Sequence, residues 1–152
     1  SSIKLLAMNY KFVSTILLVS LSCSVLRAQS DSDVVDLKKH KVVIQFSDSD
    51  SLSQASVTGQ VKNIRTAWPN AEVELVCHGP GLELLVTSKS KASKAVADWS
   101  AQGVTFAACN NTMRRRNIKK EDLLPSVQIV PSAMIELVLK QEKGWAYVKG
   151  GH

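Results

Sequence analysis

The sequence predicts a single α/β domain built on a mainly parallel five-stranded sheet with helices on both faces. Two observations support this. Short apolar runs rich in β-branched residues recur along the chain, and between them apolar residues return at the three- and four-residue spacing of helices. Strands that alternate with helices form right-handed crossovers and therefore parallel sheets. The 152 residues leave room for one such core.

The five predicted strands are short and mostly apolar, as strands covered on both faces should be. The first ends in a run of serines and aspartates, and the second ends at a glycine- and proline-containing turn, both typical strand terminators. The predicted strands are residues 41–46, 73–77, 104–108, 127–130 and 145–149.

Two longer helices are predicted between the first three strands. The first begins near Leu52, with Asp48 and Asp50 as candidate capping residues rather than metal ligands, and it ends before Pro69. The second covers residues 90–102 and stops at Gly103. The residues predicted to face the core from the first helix are Val57, Val61, Ile64 and Trp68.

Shorter helical segments are predicted at residues 82–86 and 110–117. The last helix follows Pro131, a residue that suits a first helical turn. Its apolar residues predict the face that packs on the sheet, formed by Ile135, Val138 and Leu139.

The N-terminus predicts a secretory signal peptide. Lys11 precedes an uncharged apolar stretch at residues 12–21, which is too short for a membrane span of roughly 20 residues. Cleavage is expected after Ala28 or Ser30. The predicted organisation is a signal peptide with its preceding residues at 1–30, a polar lead-in at 31–40 and the α/β domain at 41–152. The alternative is an amphipathic helix attached to the domain.

Charge and composition exclude some partners. The formal net charge of +6 falls to +3 without residues 1–30, because that segment holds three basic residues and no acid. No basic block with interleaved aromatic residues remains apart from Arg114–Arg116, so nucleic-acid binding is not expected. The sequence predicts an exported, periplasmic protein without a membrane span. No cluster of His, Cys, Asp or Glu has metal-ligand spacing, and no cofactor is expected.

Two of the three cysteines remain after removal of the signal peptide, Cys77 and Cys109. They form neither a C-x-x-C motif nor a disulfide ladder. With a strand order of 2-1-3, the first strand would separate their strands by about 10 Å, whereas a disulfide needs Cα atoms within about 7 Å. We therefore predict that the two cysteines do not pair with each other.

Ligands of such sheets bind beyond the carboxyl ends of the strands, and three polar loops are predicted there. They begin at Ser47, at His78-Gly79 and at Cys109 with Asn110 and Asn111. Ser47, His78, Gly79, Asn110 and Asn111 are therefore candidate pocket residues. A loop histidine is also commonly structural, and Cys77 at the end of an apolar strand is expected to be a core residue.

Cys109 is the best candidate for chemistry, because it lies where a strand meets a helix. The unpaired N–H groups and positive end of a helix favour a thiolate. The neighbouring arginines add positive charge if they lie close, although at the far end of the helix they are equally compatible with solvation. The alternative is that Cys109 is a small buried core residue, a common role of cysteine.

Three segments together resemble the DsrE/DsrF-like family. The most specific runs from Val104 to Ile118 through Cys109, with residues 121–125 beyond it. The others are residues 76–85, read VCHGPGLELL, and residues 141–147, read QEKGWAY. The resemblance covers residues 41–150. It implies a flavodoxin-like three-layer α/β fold and assembly as a homo-oligomer, a trimer or hexamer.

In the sulfur-relay members of that family, the cysteine after the third strand carries sulfur as a persulfide, and Cys109 occupies that place. The chain departs from those members in its export signal. The first functional hypothesis is therefore a sulfur-handling protein, sulfurtransferase-like at most, with Cys109 as its nucleophile and an unidentified sulfur donor and acceptor. The rival is a non-catalytic homo-oligomeric binding module. A dithiol oxidoreductase is disfavoured, because no resolving cysteine lies nearby in the sequence.

Overall fold

The computed structural model describes residues 35–152. The predicted signal peptide lies outside the described residues. Within them, the predicted α/β class is confirmed: five strands form one sheet, and every neighbouring pair is parallel. The strands are β1 (Lys41–Phe46), β2 (Glu72–Cys77), β3 (Thr105–Cys109), β4 (Gln128–Val130) and β5 (Ala146–Lys149).

The helices connect the strands in the predicted order. The α-helices are α1 (Ser51–Ala67), α2 (Ser93–Ala101), α3 (Asn110–Arg115) and α4 (Ala133–Glu142). Two 3-10 helices supplement them, at Gly79–Leu85 and Lys120–Asp122. No helix within residues 35–152 is long and apolar enough to cross a membrane.

The first helix begins where the sequence places it. Asp50 is its N-cap, and the Asp50 carboxylate accepts a hydrogen bond of 2.9 Å from the backbone N–H of Ser53. That bond satisfies one of the donors left free in the first helical turn. The predicted capping role of Asp50 is confirmed. Asp48 instead lies 3.5 Å from the ammonium group of Lys149.

The strand order differs from the expected 2-1-3 order. The sheet runs β4-β3-β2-β1-β5, so β2 lies between β1 and β3. Cys77 on β2 pairs in register with Ala108 on β3. The argument that an intervening strand separates Cys77 from Cys109 is therefore wrong. Successive side chains of a strand alternate between faces, so Cys109 projects from the face opposite to Cys77.

Buried residues divide into one cluster on each face of the sheet. On what we term the first face, α1, α2 and the 3-10 helix Gly79–Leu85 cover strand residues that include Ile44, Phe46, Leu75 and Phe106. Among the described residues, α4 is the helix that covers the second face. Its cluster consists of Val43, Val76, Ala107, Cys109, Ala133 and Leu137. Helices on both faces give the predicted three layers.

The orientation of α4 corrects one expectation. Ile135, Val138 and Leu139, predicted to pack on the sheet, are exposed at 58%, 50% and 42%. Ala133 and Leu137 face the sheet instead. Both sides of this helix are partly apolar, so periodicity alone could not select the inward side.

Candidate functional site

Cys109 lies at the end of β3 and is the N-cap residue of α3. Only 4% of the residue is exposed, and it packs within the second-face cluster. Its position at a strand-to-helix junction agrees with the sequence prediction.

Backbone N–H groups surround the Cys109 sulfur. The N–H of Ala133, the first residue of α4, donates to Sγ at 3.3 Å. Asn111 and Thr112, in the first turn of α3, place further polar groups near the thiol. Burial acts to raise the pKa of Cys109, but the hydrogen bond from Ala133 and the polar groups of Thr112 and Asn111 outweigh it. The pKa of Cys109 therefore lies below its ordinary value, which favours the thiolate.

Cys77 has the opposite environment. It ends β2 within the first-face cluster and is wholly buried. Burial raises the pKa of Cys77 well above its ordinary value, with no hydrogen bond to offset it. Both cysteines are free thiols. The predicted core role of Cys77 agrees with this packing.

A cavity of about 550 Å³ opens at Cys109. Two arginines, Arg114 and Arg115, contribute to its wall, and no carboxylate of the described part of the chain does so. The guanidinium of Arg114 donates to the side-chain oxygen of Asn111 at 2.7 Å, so a neutral partner leaves its charge uncompensated. The lining residues are His78, Cys109, Asn111, Thr112, Arg114, Arg115, Ser132, Ala133 and Met134. The cavity therefore suits a small anionic group.

His78 contributes to the cavity wall from the end of β2. Its Nε2 lies 2.8 Å from the side-chain nitrogen of Gln45. Burial lowers the pKa of His78, and the positive charges of Lys149 and Arg115 lower it further. The imidazole is therefore neutral at physiological pH.

The loop after His78 is held by α3. The hydroxyl of Thr112 accepts a 3.0 Å hydrogen bond from the N–H of Gly79, which has a φ of +54°. Arg116 donates to the Gly79 carbonyl at 3.0 Å and forms an ion pair with Glu83 at 2.7 Å. These contacts fix the loop, so Arg116 is structural, unlike its two neighbours in the cavity wall.

Gly81 lets the same loop approach β1. A Cβ at this position would lie 2.6 Å from the Phe46 carbonyl oxygen and 2.7 Å from the Cα of Ser47. Any side chain at this position would therefore push the loop after β2 away from the end of β1. The turn after β2 depends on this glycine.

The predicted site residues divide into two groups. The structure brings together Cys109, His78 and Asn111 around the cavity. Gly79, Asn110 and Ser47 do not line it. Gly79 supports the wall through Thr112, whereas Ser47 lies beside Gly81 at the end of β1.

Sequence reasoning missed the contribution of the loop between β4 and α4. The cavity is also lined by Ser132, Ala133 and Met134. The backbone N–H of Ala133 donates the hydrogen bond to Cys109 Sγ. The signal was present: Pro131-Ser132 follows the fourth strand and opens a helix. Once β4 is known to lie beside β3, that strand end must also meet Cys109.

Metal binding has no support among residues 35–152. No group of three or more His, Cys, Asp or Glu side chains is arranged to hold an ion there. Cys109 and His78 share a cavity wall, but its other polar members are arginine, asparagine, serine and threonine. This donor set suits an anion better than a cation.

Comparison with known proteins gives a family and a fold. The model of the DsrE/DsrF-like family matches residues 40–149. A protein of unknown function from Methanobacterium thermoautotrophicum, MTH1491, is 30% identical with a TM-score of 0.70, covering 73% of this chain and 99% of that one. A search of curated proteins gives no match.

Two more distant structures share the fold. The ychN protein from E. coli is 14% identical with a TM-score of 0.63, covering 74% of this chain and 99% of its own. The protein BT1422 from Bacteroides thetaiotaomicron is 11% identical with a TM-score of 0.52, covering 72% and 93%. At these identities the likeness concerns the fold alone.

Proposed function

The chain belongs to the DsrE/DsrF-like family, and from that premise we propose that it handles sulfur by carrying it as a persulfide on Cys109. The observation that carries the proposal is the environment of the Cys109 sulfur. It accepts a hydrogen bond from the N–H of Ala133, its pKa is lowered, and it lies at a cavity to which residues 35–152 contribute two arginines and no carboxylate.

The proposed step is a nucleophilic substitution at sulfur. The Cys109 thiolate attacks the sulfane sulfur of a donor and forms a new S–S bond. The donor's own bond to that sulfur breaks, and its electron pair leaves with the rest of the donor, as sulfite when the donor is thiosulfate. The step consumes no oxidant. A second thiolate from an acceptor would later remove the outer sulfur and regenerate Cys109.

The cavity supplies what such a step requires. The product persulfide is an anion, and the same N–H groups that favour the thiolate remain near it. Arg114 and Arg115 favour an anionic donor through their uncompensated charge. The chain is thus at most sulfurtransferase-like, since turnover depends on a separate acceptor.

Intact-mass measurement tests this proposal. The full chain is reduced, freed of reductant and incubated with thiosulfate or with polysulfide. We expect a gain of one sulfur atom that is lost on reduction and that peptide mapping locates at Cys109. Cys109→Ser should not load, whereas the matched control Cys77→Ser should load normally. Failure of the wild-type chain to load with either donor contradicts the proposal.

A second candidate is a homo-oligomeric binding module, and the outer surface of α4 favours it. This helix exposes Met134, Ile135, Val138 and Leu139, each at 42% or more. A helix that is apolar on both sides is normally buried on both sides. Ile129 on β4 and the β5 residues Tyr147 and Val148 add exposed apolar area.

Light scattering at micromolar concentration tests self-association, for which we expect a trimer or larger. Val138→Glu should shift the population toward the monomer, because a charge would be buried in the interface. Leu52→Glu is the matched control, since Leu52 is 72% exposed on α1, across the sheet from α4. A wild-type chain that is monomeric at this concentration contradicts the proposed self-association. If the assembly forms but Cys109 never loads sulfur, the binding module is the better description.

Export is proposed from the sequence of residues 1–30. The expected mature protein starts near Gln29 or Asp31 and lies outside the cytoplasm, in the periplasm. N-terminal sequencing of the protein recovered from a host with a secretory pathway tests this. Recovery of a cytoplasmic form that retains Phe12 contradicts it.

A further inference from the structure

Three side chains form a hydrogen-bonded chain on the second face, leading to the Cys109 cavity. The hydroxyl of Tyr147 on β5 donates to Oε1 of Gln45 on β1. The amide nitrogen of Gln45 lies 2.8 Å from Nε2 of His78 at the end of β2. The three strands are neighbours in the sheet, in the order β2-β1-β5.

When the Tyr147 hydroxyl donates to Oε1 of Gln45, the remaining bonds of the chain determine which imidazole nitrogen carries the proton. An amide oxygen only accepts hydrogen bonds and an amide nitrogen only donates them. Because Tyr147 occupies Oε1 of Gln45, the Gln45 nitrogen faces His78 and donates to it. The Nε2 of His78 must then accept, so a neutral ring carries its proton on Nδ1.

We propose that Tyr147 and Gln45 are positioning residues that hold His78 as a neutral imidazole protonated on Nδ1, providing one more hydrogen-bond donor for an anion in the Cys109 cavity. The assignment goes beyond the sulfur chemistry, because the tautomer is a property of the resting protein. It can therefore fail while persulfide loading succeeds, and the reverse also holds.

The charges around His78 support the neutral form. The charged groups that lower its pKa are Lys149 from β5 and Arg115 from α3. Burial acts in the same direction. Among residues 35–152, no carboxylate lines the cavity wall that His78 shares. A neutral ring protonated on Nδ1 can donate to an anion without titrating as the pH changes near neutrality.

Long-range proton–nitrogen NMR spectra of the full chain report the tautomer directly, since protonated and unprotonated ring nitrogens resonate far apart. His40→Asn and His152→Asn assign the signals by elimination. We expect the His78 ring to show a proton on Nδ1 and to remain neutral at a pH where an ordinary imidazole is charged. A His78 ring protonated on Nε2, or one that becomes charged at the ordinary pKa of an imidazole, overturns the proposal.

Two variants test the role of the positioning residues. Tyr147→Phe removes the hydroxyl that orients the Gln45 amide, so a fraction of His78 should shift to the Nε2-protonated form. Tyr147 is 43% exposed, so the variant should fold. Gln45→Glu is nearly isosteric and places a carboxylate against Nε2, which should raise the titration midpoint of His78 by about one pH unit.

Lys149→Gln is the matched control. It removes a charge near His78 but no hydrogen bond to it, so the tautomer should stay on Nδ1. If Tyr147→Phe and Gln45→Glu both leave the tautomer and the midpoint unchanged, Tyr147 and Gln45 do not position the ring.

Addition of sodium thiosulfate should shift the Nδ1 resonance of His78 and leave that of His40 in place. An unmoved His78 signal contradicts its role as a donor to the cavity anion.

Discussion

The two faces of the sheet differ both in cover and in chemistry. The first face packs under α1, α2 and a 3-10 helix, and the strand side chains that it buries are apolar apart from the thiol of Cys77. Within residues 35–152 the second face has one covering helix, α4, and it holds Glu74, Gln45 and Cys109. The same strands supply both faces, because their side chains alternate. The thinly covered face therefore carries the groups available for binding and chemistry.

The two cysteines show the difference most clearly. They end neighbouring strands, yet Cys77 projects into the first-face cluster and Cys109 into the second-face cluster. Burial without a hydrogen-bond donor raises the pKa of Cys77. Donors from two helices lower the pKa of Cys109 despite its burial. The opposite pKa shifts of the two thiols thus follow from the face of the sheet onto which each projects.

The largest expected effect concerns packing. Leu75→Ala on the first face should lower the free energy of unfolding by about 4 kcal/mol, because Leu75 is fully buried among close-packed neighbours. Leu137→Ala on the second face should cost about 2 kcal/mol, because that thinly covered site can relax or admit water. Urea unfolding measures both. A larger loss at Leu137 would show that the second face is the main core.

The next effect compares the thiols as structural residues. Cys77→Ser places a hydroxyl without a partner in the first-face core and should cost about 2 kcal/mol. Cys109→Ser should cost less than about 1 kcal/mol, because the serine oxygen can accept the N–H of Ala133. Thermal unfolding measures the pair. A heavier loss for Cys109→Ser would make Cys109 a core residue and favour the binding module.

The smallest effect concerns Glu74, which is 3% exposed and forms an ion pair with Lys140 under α4. Burial raises the pKa of Glu74, against the opposing effect of Lys140. An acid whose pKa is higher in the folded state binds its proton more tightly there. Its contribution to stability is therefore lost as the pH rises through that folded-state pKa.

Glu74→Gln cannot ionise, so its stability relative to wild type should increase by about 1 kcal/mol as the pH rises from the ordinary carboxylate range to neutral. Lys140 keeps Glu136 as a partner at 3.7 Å. Glu72→Gln is the control of opposite sign, because Lys39 lowers the pKa of the exposed Glu72. Urea unfolding across this pH range measures the stability of each variant relative to wild type. If this relative stability changes with pH in the same direction for both variants, the account is contradicted.

Local patterns predicted most of the fold. The β-branched runs at residues 41–46 and 73–77 and the periodicity of the first helix gave elements close to β1, β2 and α1. The predicted strand order was wrong, because neither periodicity nor turn composition reports which strands pair. The prediction of which side of α4 faces the sheet was also wrong, because the two sides of this helix are similarly apolar.

The candidate site was predictable only where it follows single strand ends. Cys109, His78 and Asn111 come directly after strands or begin helices, and these three line the cavity. Ala133 could not be found that way, because its role depends on β4 lying beside β3. The chain Tyr147–Gln45–His78 depends equally on β1 lying between β2 and β5.

Competitive alkylation tests the central claim most directly, namely that Cys109 is the reactive thiol of the domain. The native full chain is treated with iodoacetamide from mildly acidic to neutral pH, and peptide mass spectrometry follows each cysteine. Cys109 should react at least about a hundredfold faster than Cys77, which becomes accessible only when the core opens. Equal, slow modification of Cys109 and Cys77 in the folded protein would contradict the account.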